Sequence, residues 1–381
     1  MPASDVTRLL SDLVAIDSVN PLLVPGAAGE SRIARRIAEE MRAIGLEVHV
    51  TEAAPDRPNV VGVLRGRAPG RSLMLCGHTD TVGVSGMSRP FEPEIRSGRL
   101  YGRGAQDMKG GVAAMLGAAR RIAEPGLAAG ELVVAAVVDE EHSSLGAEAL
   151  VRQWRTDTAV VTEPTGLDVA VAHKGFQWMT VETRGRAAHG SRPQEGRDAI
   201  LRMGRVLSAL ERLERSLAGG PAHPLLGVAS LHASLIQGGQ ELSSYPARAW
   251  LEFERRTLPG ESGSVALDEL DVILGDLRAH DPEFECDRRA MLSRDAYEIS
   301  PVSPLPDQLT SAARRVGCPA ARTGMTFWTD AAILGAAGIA AVVFGPGGAG
   351  LHSTEEYVLL DDVERCCAAL MELAHTVTTQ R

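Results

Sequence analysis

Aromatic residues are scarce, at 4% of 381 positions, and only five cysteines occur. Cys76, Cys286, Cys318, Cys366 and Cys367 are odd in number and form no C-x-x-C pair. That excludes a disulfide framework and a thiolate zinc site, and it leaves them as small buried residues. No run of five basic residues appears, and 39 Lys and Arg against 49 Asp and Glu give a net charge of −10. Phosphate backbones demand the opposite balance, so nucleic acid is not an expected partner. The longest uncharged stretch, 331–351, is broken by Gly335, Gly338, Pro346 and four further glycines, which excludes a membrane span of roughly 20 apolar residues. The opening residues, MPASDVTRLLSDLV, carry acids where a secretory leader needs a basic start and an apolar core. A cytoplasmic protein without membrane contact is therefore expected. There is no G-x-S-x-G element for a serine nucleophile, no low-complexity tract and no internal repeat.

What is present suits an ordinary globular chain: 44% hydrophobic and 23% charged residues, over a length that fits two domains of roughly 150 residues each. Ile33, Ile37, Met41 and Ile44 recur at helical period before Gly45. Apolar runs at 59–64, 72–76, 132–138 and 158–161 alternate with helical patterns at 112–122 and 147–154. This predicts an α/β domain with a mixed, mostly parallel central sheet and helices on both faces. From about Phe176 the texture changes to a strand (176–184), a helix (198–217), two strands (227–236 and 247–257), a helix (265–279) and a strand (283–292). That β-α-β-β-α-β order predicts a small α+β domain. The first texture returns with a helix at 306–316, a strand at 339–344 and a helix at 361–376. Residues 1–175 and 293–381 are thus expected to form one domain into which 176–292 are inserted, with hinges near 174–178 and 292–300.

The chemistry gathers behind the apolar runs. They lead into Gly77-His78-Thr79-Asp80, Asp139-Glu140-Glu141-His142 and Thr162-Glu163-Pro164, and the run at 339–344 leads through a glycine loop to His352. Parallel strands bring their carboxyl ends to one sheet edge, where α/β proteins bind ligands. Asp107 joins them from Tyr101-Gly102-Arg103-Gly104-Ala105-Gln106-Asp107-Met108-Lys109-Gly110-Gly111, a loop entering a helix. Singly, each residue has a plainer reading: a histidine after a strand is usually a hydrogen-bonded turn residue, and acids ahead of a helix complement its dipole. Together they resist it, because crowded carboxylates repel one another unless cations or protons neutralise them. Imidazole and carboxylate without thiolate suit zinc, cobalt or manganese, and two histidines with three acids hold two metals if one carboxylate bridges.

The segments His78-Thr79-Asp80-Thr81-Val82, Gly102-Arg103-Gly104 with Asp107-Met108-Lys109-Gly110-Gly111, Asp139-Glu140-Glu141, Glu163-Pro164-Thr165 and His352-Ser353 with Glu356-Tyr357-Val358 run nearly end to end. In that order they resemble the co-catalytic di-zinc hydrolases that include acetylornithine deacetylase, succinyl-diaminopimelate desuccinylase, aminoacylase-1 and glutamate carboxypeptidase. The resemblance implies a zinc-peptidase-like catalytic domain with an inserted lid and dimerisation domain, and a homodimer. It also implies two Zn2+ per chain, with Co2+ or Mn2+ as alternatives. Asp107 would bridge the metals, His78 and Glu163 completing one position and Glu141 and His352 the other. Asp80 would fix the His78 ring, and Glu140 would act as general base on a metal-activated water. The substrate would be an N-acyl amino acid or a small dipeptide-like amide. Glu163 favours the deacylase, since several peptidases of the family use aspartate there.

Three further residues follow from the same resemblance. Gly185-Arg186-Ala187-Ala188-His189-Gly190-Ser191-Arg192-Pro193 resembles the lid segment whose histidine reaches the oxyanion from the partner subunit. Arg256, in Arg255-Arg256-Thr257-Leu258-Pro259-Gly260-Glu261, matches the arginine that pairs with a substrate carboxylate. Ser243, in Ser243-Ser244-Tyr245-Pro246, stands where relatives carry asparagine, a departure at a substrate-contacting loop. Gly345-Pro346-Gly347-Gly348-Ala349-Gly350 fits the dinucleotide fingerprint, but no sustained helix follows and no acid comes about 20 residues on. Lys109 is followed by glycine rather than Ser or Thr, so the segment is no phosphate-binding loop. An oxidoreductase is thereby disfavoured, and the intact Glu140 speaks against a silent binding relative.

Overall fold

The structure, a computed structural model, describes residues 4–380. The first three residues of the N-terminal stretch discussed above, and Arg381, lie outside it. The chain runs through α1 (Asp5–Val14), α2 (Ser31–Ala43), β1 (Glu47–Ala54), β2 (Arg57–Arg65), β3 (Ser72–His78), β4 (Glu94–Arg96), β5 (Arg99–Tyr101), α3 (Gly110–Ala123), β6 (Glu131–Val137), α4 (Leu145–Gln153), β7 (Thr158–Val161) and β8 (Val169–His173). There follow β9 (Gly175–Arg184), α5 (Ala199–Ala218), β10 (Ser230–Gly238), β11 (Arg248–Thr257), α6 (Val265–His280), β12 (Glu285–Arg294) and β13 (Tyr297–Glu298). It closes with α7 (Leu305–Arg315), β14 (Arg322–Met325), α8 (Ala331–Ala336), β15 (Ala340–Val343), β16 (Gly348–Ala349), β17 (Tyr357–Leu359) and α9 (Leu360–Thr378). Two compact units result. One comprises Met1–Val171, Ile299–Gly324 and Thr329–Arg381, the other Ala172–Glu298 and Met325–Trp328. The second unit thus reaches a few residues past 176–292 at both ends and takes in a short segment distant in sequence.

In the first unit the sheet order is β1-β2-β6-β3-β7-β15-β8, with β14 pairing β8. β6, β3, β7 and β15 run parallel to their neighbours in that series, whereas β1, β2 and β8 pair antiparallel. The mixed, mostly parallel α/β sheet expected from the alternation is therefore present. The parallel strands read as continuous apolar runs because both of their faces are covered: Leu73, Met74, Leu75, Val133, Val134 and Val160 are all at 0% exposure. α3 packs on β3 and β6 as well as on α1 and α9, and its glycine- and alanine-rich sequence lets it sit close. The carboxyl ends of β3, β6, β7 and β15 share one edge, which delivers His78, the 139–141 turn, Glu163 and the Gly345 loop to the same place. A small antiparallel sheet, in the order β16-β17-β5-β4, carries the His352 loop between β16 and β17 and launches the 102–109 segment from β5.

The second unit is an antiparallel sheet ordered β10-β11-β9-β12, against which α5 and α6 pack. Met179, Val181, Val206, Leu251, Phe253, Leu270 and Phe284 form its core. β10 is an edge strand with Leu235 and Ile236 exposed. All five cysteines are free and buried. Among the described residues, no helix is long and apolar enough to cross a membrane.

Candidate metal centre

Asp107 lies between the two histidines. Its Oδ1 is 3.0 Å from His78 Nε2 and its Oδ2 is 3.4 Å from His352 Nε2. Around His78 Nε2 stand Glu163 Oε1 at 3.4 Å and Glu140 Oε2 at 3.9 Å, while His352 Nε2 lies 3.2 Å from Glu141 Oε2. His78, Asp107 and Glu141 can offer ligand atoms within 4.8 Å of one another, and so can His78, Glu140 and Glu163. By distance alone Glu140 reaches the His78 side as Glu163 does. The backbone beneath Glu163 is wedged between glycines: a Cβ on Gly111 would collide with the Thr162 carbonyl oxygen, and one on Gly345 with those of Thr162 and Glu163.

A buried polar network sets these side chains. Asp80, at 0% exposure, accepts the amides of Glu140 and Glu141 at 3.1 and 3.2 Å, and its carbonyl lies 3.0 Å from His78 Nδ1. That contact suits a ring that donates from Nδ1 and presents Nε2 to a cation. Asn20 Nδ2 donates to both Asp80 (2.8 Å) and Asp139 (3.0 Å). Arg57 joins Asp139 at 2.7 Å to Glu30, which it also grips from Nε at 2.9 Å. Asp139 holds a left-handed φ of 70°, uncommon for a non-glycine residue, and its carboxylate accepts from Ser143 Oγ at 2.5 Å. The turn that aims Glu140 and Glu141 is thus fastened from several directions. Asn20, Glu30 and Arg57 do not appear among the sequence-derived candidates, and no spacing rule links Asn20 to Asp80 and Asp139, 60 and 119 positions away, or Arg57 to Asp139, 82 away.

The electrostatics favour a bound cation. Burial first, then the neighbouring acids, push Glu140 and Glu163 well above the usual carboxylate range, although His78 pulls the other way. Burial and Asp107 push Glu141 up to about 7. Hydrogen bonds to Asp107 and Glu141 push His352 up to about 10. Burial opposes charge on His78, yet Glu163, Asp107 and Asp80 outweigh it and hold its pKa high. Without a metal cation the cluster favours bound protons, which offset its crowded negative charge. Glu141 Oε1 is buried without a hydrogen-bond partner among the described residues, which leaves its lone pairs available to a cation. An all-imidazole-and-carboxylate set with one carboxylate between two histidines fits divalent cations such as zinc, cobalt or manganese, which the residues named above would hold.

Residues 74–376 match peptidase family M20/M25/M40. The chain belongs to this family. It is similar to acetylornithine deacetylase of Myxococcus xanthus, with 31% identity over 97% of this chain and 96% of that one. In fold it resembles a tripeptidase from Staphylococcus aureus (TM-score 0.83, 22% identity, 98% of each chain). It also resembles a dinuclear metal binding peptidase of the M20 family from Bacillus subtilis (TM-score 0.75, 14% identity, 99% of this chain and 98% of that one). As an M20 protein it is a metal-dependent hydrolase acting on amide bonds.

The remaining candidates of this M20 chain lie in the second unit. His189 is exposed and its Nδ1 lies 2.8 Å from Ser191 Oγ; its backbone forms an isolated antiparallel bridge with that of Ser244, and Gly190 N donates to Ser243 O at 2.7 Å. His189 and Ser243 are therefore brought together on paired loops. Arg256 stands apart from them on β11: Nε donates to Glu254 at 2.6 Å, and the guanidinium lies 5.4 Å from the Phe176 ring centroid. Its neighbour Arg255 is fully buried against Glu261 and Glu269 of the helix side, so alternation along β11 leaves Arg256 on the opposite face.

Proposed function

We propose that this M20 chain is a di-zinc amidohydrolase that cleaves an N-acyl amino acid, adding water across the amide to release a carboxylic acid and a free amine. The observation that carries the reading is the Asp107 carboxylate, one oxygen toward each histidine. In this reading His78 and Glu163 hold one ion, Glu141 and His352 the other, and Asp107 both; cobalt and manganese suit the same donors. Cations held by these residues would supply Lewis acidity for activating water and polarising the scissile carbonyl. Glu140 takes a proton from the attacking water and hands it to the departing nitrogen, a role worth about 10²–10⁴ in rate. Asp80 keeps the His78 ring in register. The partner subunit's His189 donates to the oxyanion, and Arg256 pairs with the substrate carboxylate, held ready by Glu254 and Phe176; Ser243 lines the same loop as His189.

A homodimer formed through the second unit, 176–292 by sequence, is supported by the exposed Leu235 and Ile236 of the β10 edge, which a second copy would cover. A cytoplasmic setting is supported by five thiols that remain free. The deacylase is preferred over a carboxypeptidase because position 163 is glutamate and because the deacetylase relative spans nearly the whole chain. The test is amine release from N-acetyl, N-succinyl and N-formyl amino acids and from dipeptides, with zinc added, by the wild type and by Glu140→Ala. Turnover of an acylated amino acid that Glu140→Ala loses while keeping its metal supports the reading. Turnover of dipeptides alone refutes the substrate class, and unimpaired Glu140→Ala refutes the base.

A further inference from the structure

The two metal positions are built on different supports. His78 ends a strand of the central sheet and is 1% exposed, its ring braced by Asp80. His352 sits in an exposed loop at a left-handed φ of 57°, and its imidazole meets only Asp107 and Glu141 among the described residues. What holds that loop is a buried ion pair. Arg103 and Glu356, 3% and 1% exposed, meet at 2.5 Å. The Glu356 carboxylate also accepts the amides of Gly104 (3.0 Å), Gln106 (2.8 Å) and Asp107 (3.1 Å), and the Glu356 carbonyl accepts from Gly102 N at 3.1 Å. Arg103 extends its other terminal nitrogen to the carbonyl of Ser353, the residue after His352, at 3.0 Å, and to Gly83 O at 3.1 Å.

We infer that Arg103 and Glu356 are positioning residues that fasten the Asp107 segment to the His352 loop, so that the ion held by Glu141 and His352 depends on this clasp more steeply than the ion at His78 and Glu163, which shares only Asp107 with it. The inference rests on the di-zinc reading above. Glu356 receives three amides, those of Gly104, Gln106 and Asp107, from the loop that presents the bridging carboxylate, and Arg103 carries that hold across to the backbone beside His352. The guanidinium fork can grip a carboxylate and a carbonyl at once, which a lysine ammonium cannot do with fixed geometry. Supporting partners of this kind change metal affinity by about 10–100-fold when removed. Here the loss falls mainly on one ion, because the clasp holds both Asp107 and the His352 loop there, whereas at the His78 position it reaches Asp107 alone.

The experiment is equilibrium dialysis of metal-stripped chain against Zn2+, with elemental analysis, on the wild type, Arg103→Lys and Glu356→Gln, and thermal melting to follow folding. Co2+ titration with visible spectra separates the two equivalents. The expected result is two equivalents in the wild type. In each variant the tighter equivalent is kept, the weaker one loses about tenfold or more in affinity, and excess Zn2+ restores its occupancy. Arg103→Lys keeps the buried charge pair and carries the test if Glu356→Gln does not melt cooperatively. Two equivalents at wild-type affinity in a folded variant overturn the clasp, as does equal weakening of both. Fewer than two equivalents in the wild type overturns the di-zinc reading itself, and the clasp falls with it.

Discussion

Replacing Asn20 by alanine tests the polar network behind the metal ligands. The Asn20 amide donates to two buried carboxylates, Asp80 at 2.8 Å and Asp139 at 3.0 Å, while its oxygen accepts from Leu22 N at 2.9 Å. A hydrogen bond to a charged group contributes about 1.5–3 kcal/mol, so two lost donors set a ceiling of about 6 kcal/mol. Asp80 keeps two backbone amides, and Asp139 keeps Arg57 and Ser143, which brings the expected loss to about 2–4 kcal/mol. Because Asp80 orients His78 and carries the amides of Glu140 and Glu141, Asn20→Ala also lowers zinc affinity by about tenfold or more. Urea unfolding of the metal-free chain reads the first effect, and zinc titration with kcat at saturating metal reads the second. A variant with wild-type stability and wild-type zinc affinity would refute the reasoning.

Zinc affinity rises with pH between about 6 and 9, because metal must displace the protons that His352 carries below about 10 and Glu141 below about 7. Dialysis at successive pH values, with proton release measured on binding, checks both sign and stoichiometry. Arg256→Ala lowers kcat/KM for carboxylate-bearing substrates by about 10–100-fold, as expected for loss of a charged hydrogen bond, and leaves the corresponding amino amides little changed. Equal loss on both substrates assigns Arg256 to the sheet instead. His189→Ala impairs turnover without metal loss, and mixed dimers with Glu140→Ala regain part of the activity. No recovery in mixed dimers removes the role across subunits.

The meeting of His78, Glu140, Glu141, Glu163 and His352 was legible because each follows a run that a buried strand explains, directly or through a short loop, whereas Asp107 stood out only in its glycine-rich loop entering a helix. Parallel pairing, such as Leu75 with Val134 and Val160, then brings the ends together. Spacing says nothing of how labour is divided between Glu140 and Glu141; that comes from the family resemblance. β1 escaped notice because Glu47, Val48, His49, Val50, Thr51 and Glu52 form an edge strand without one buried residue. α1 carries Val6, Leu9, Leu10 and Leu13 at helical period behind a Ser4 cap, a pattern hidden when the segment is weighed only as a leader. Arg57, Glu30 and Asn20 were invisible for a different reason: an arginine on a strand, a glutamate before a helix and an asparagine before a proline all look like surface residues. Only the folded chain reveals that they converge on Asp139 and Asp80.

The close seating of Gly111 and Gly345 against the Thr162–Glu163 backbone has a bearing on how such an enzyme can change. With main chain pressed on main chain from two sides, the backbone that carries Glu163 has no slack through which a neighbouring side chain could retune its reach. Variation tolerated within this half of the molecule is then confined to groups that leave those contacts alone. New substrate preferences would have to arise in segments free to alter without disturbing the packing, such as the exposed Ser243 loop.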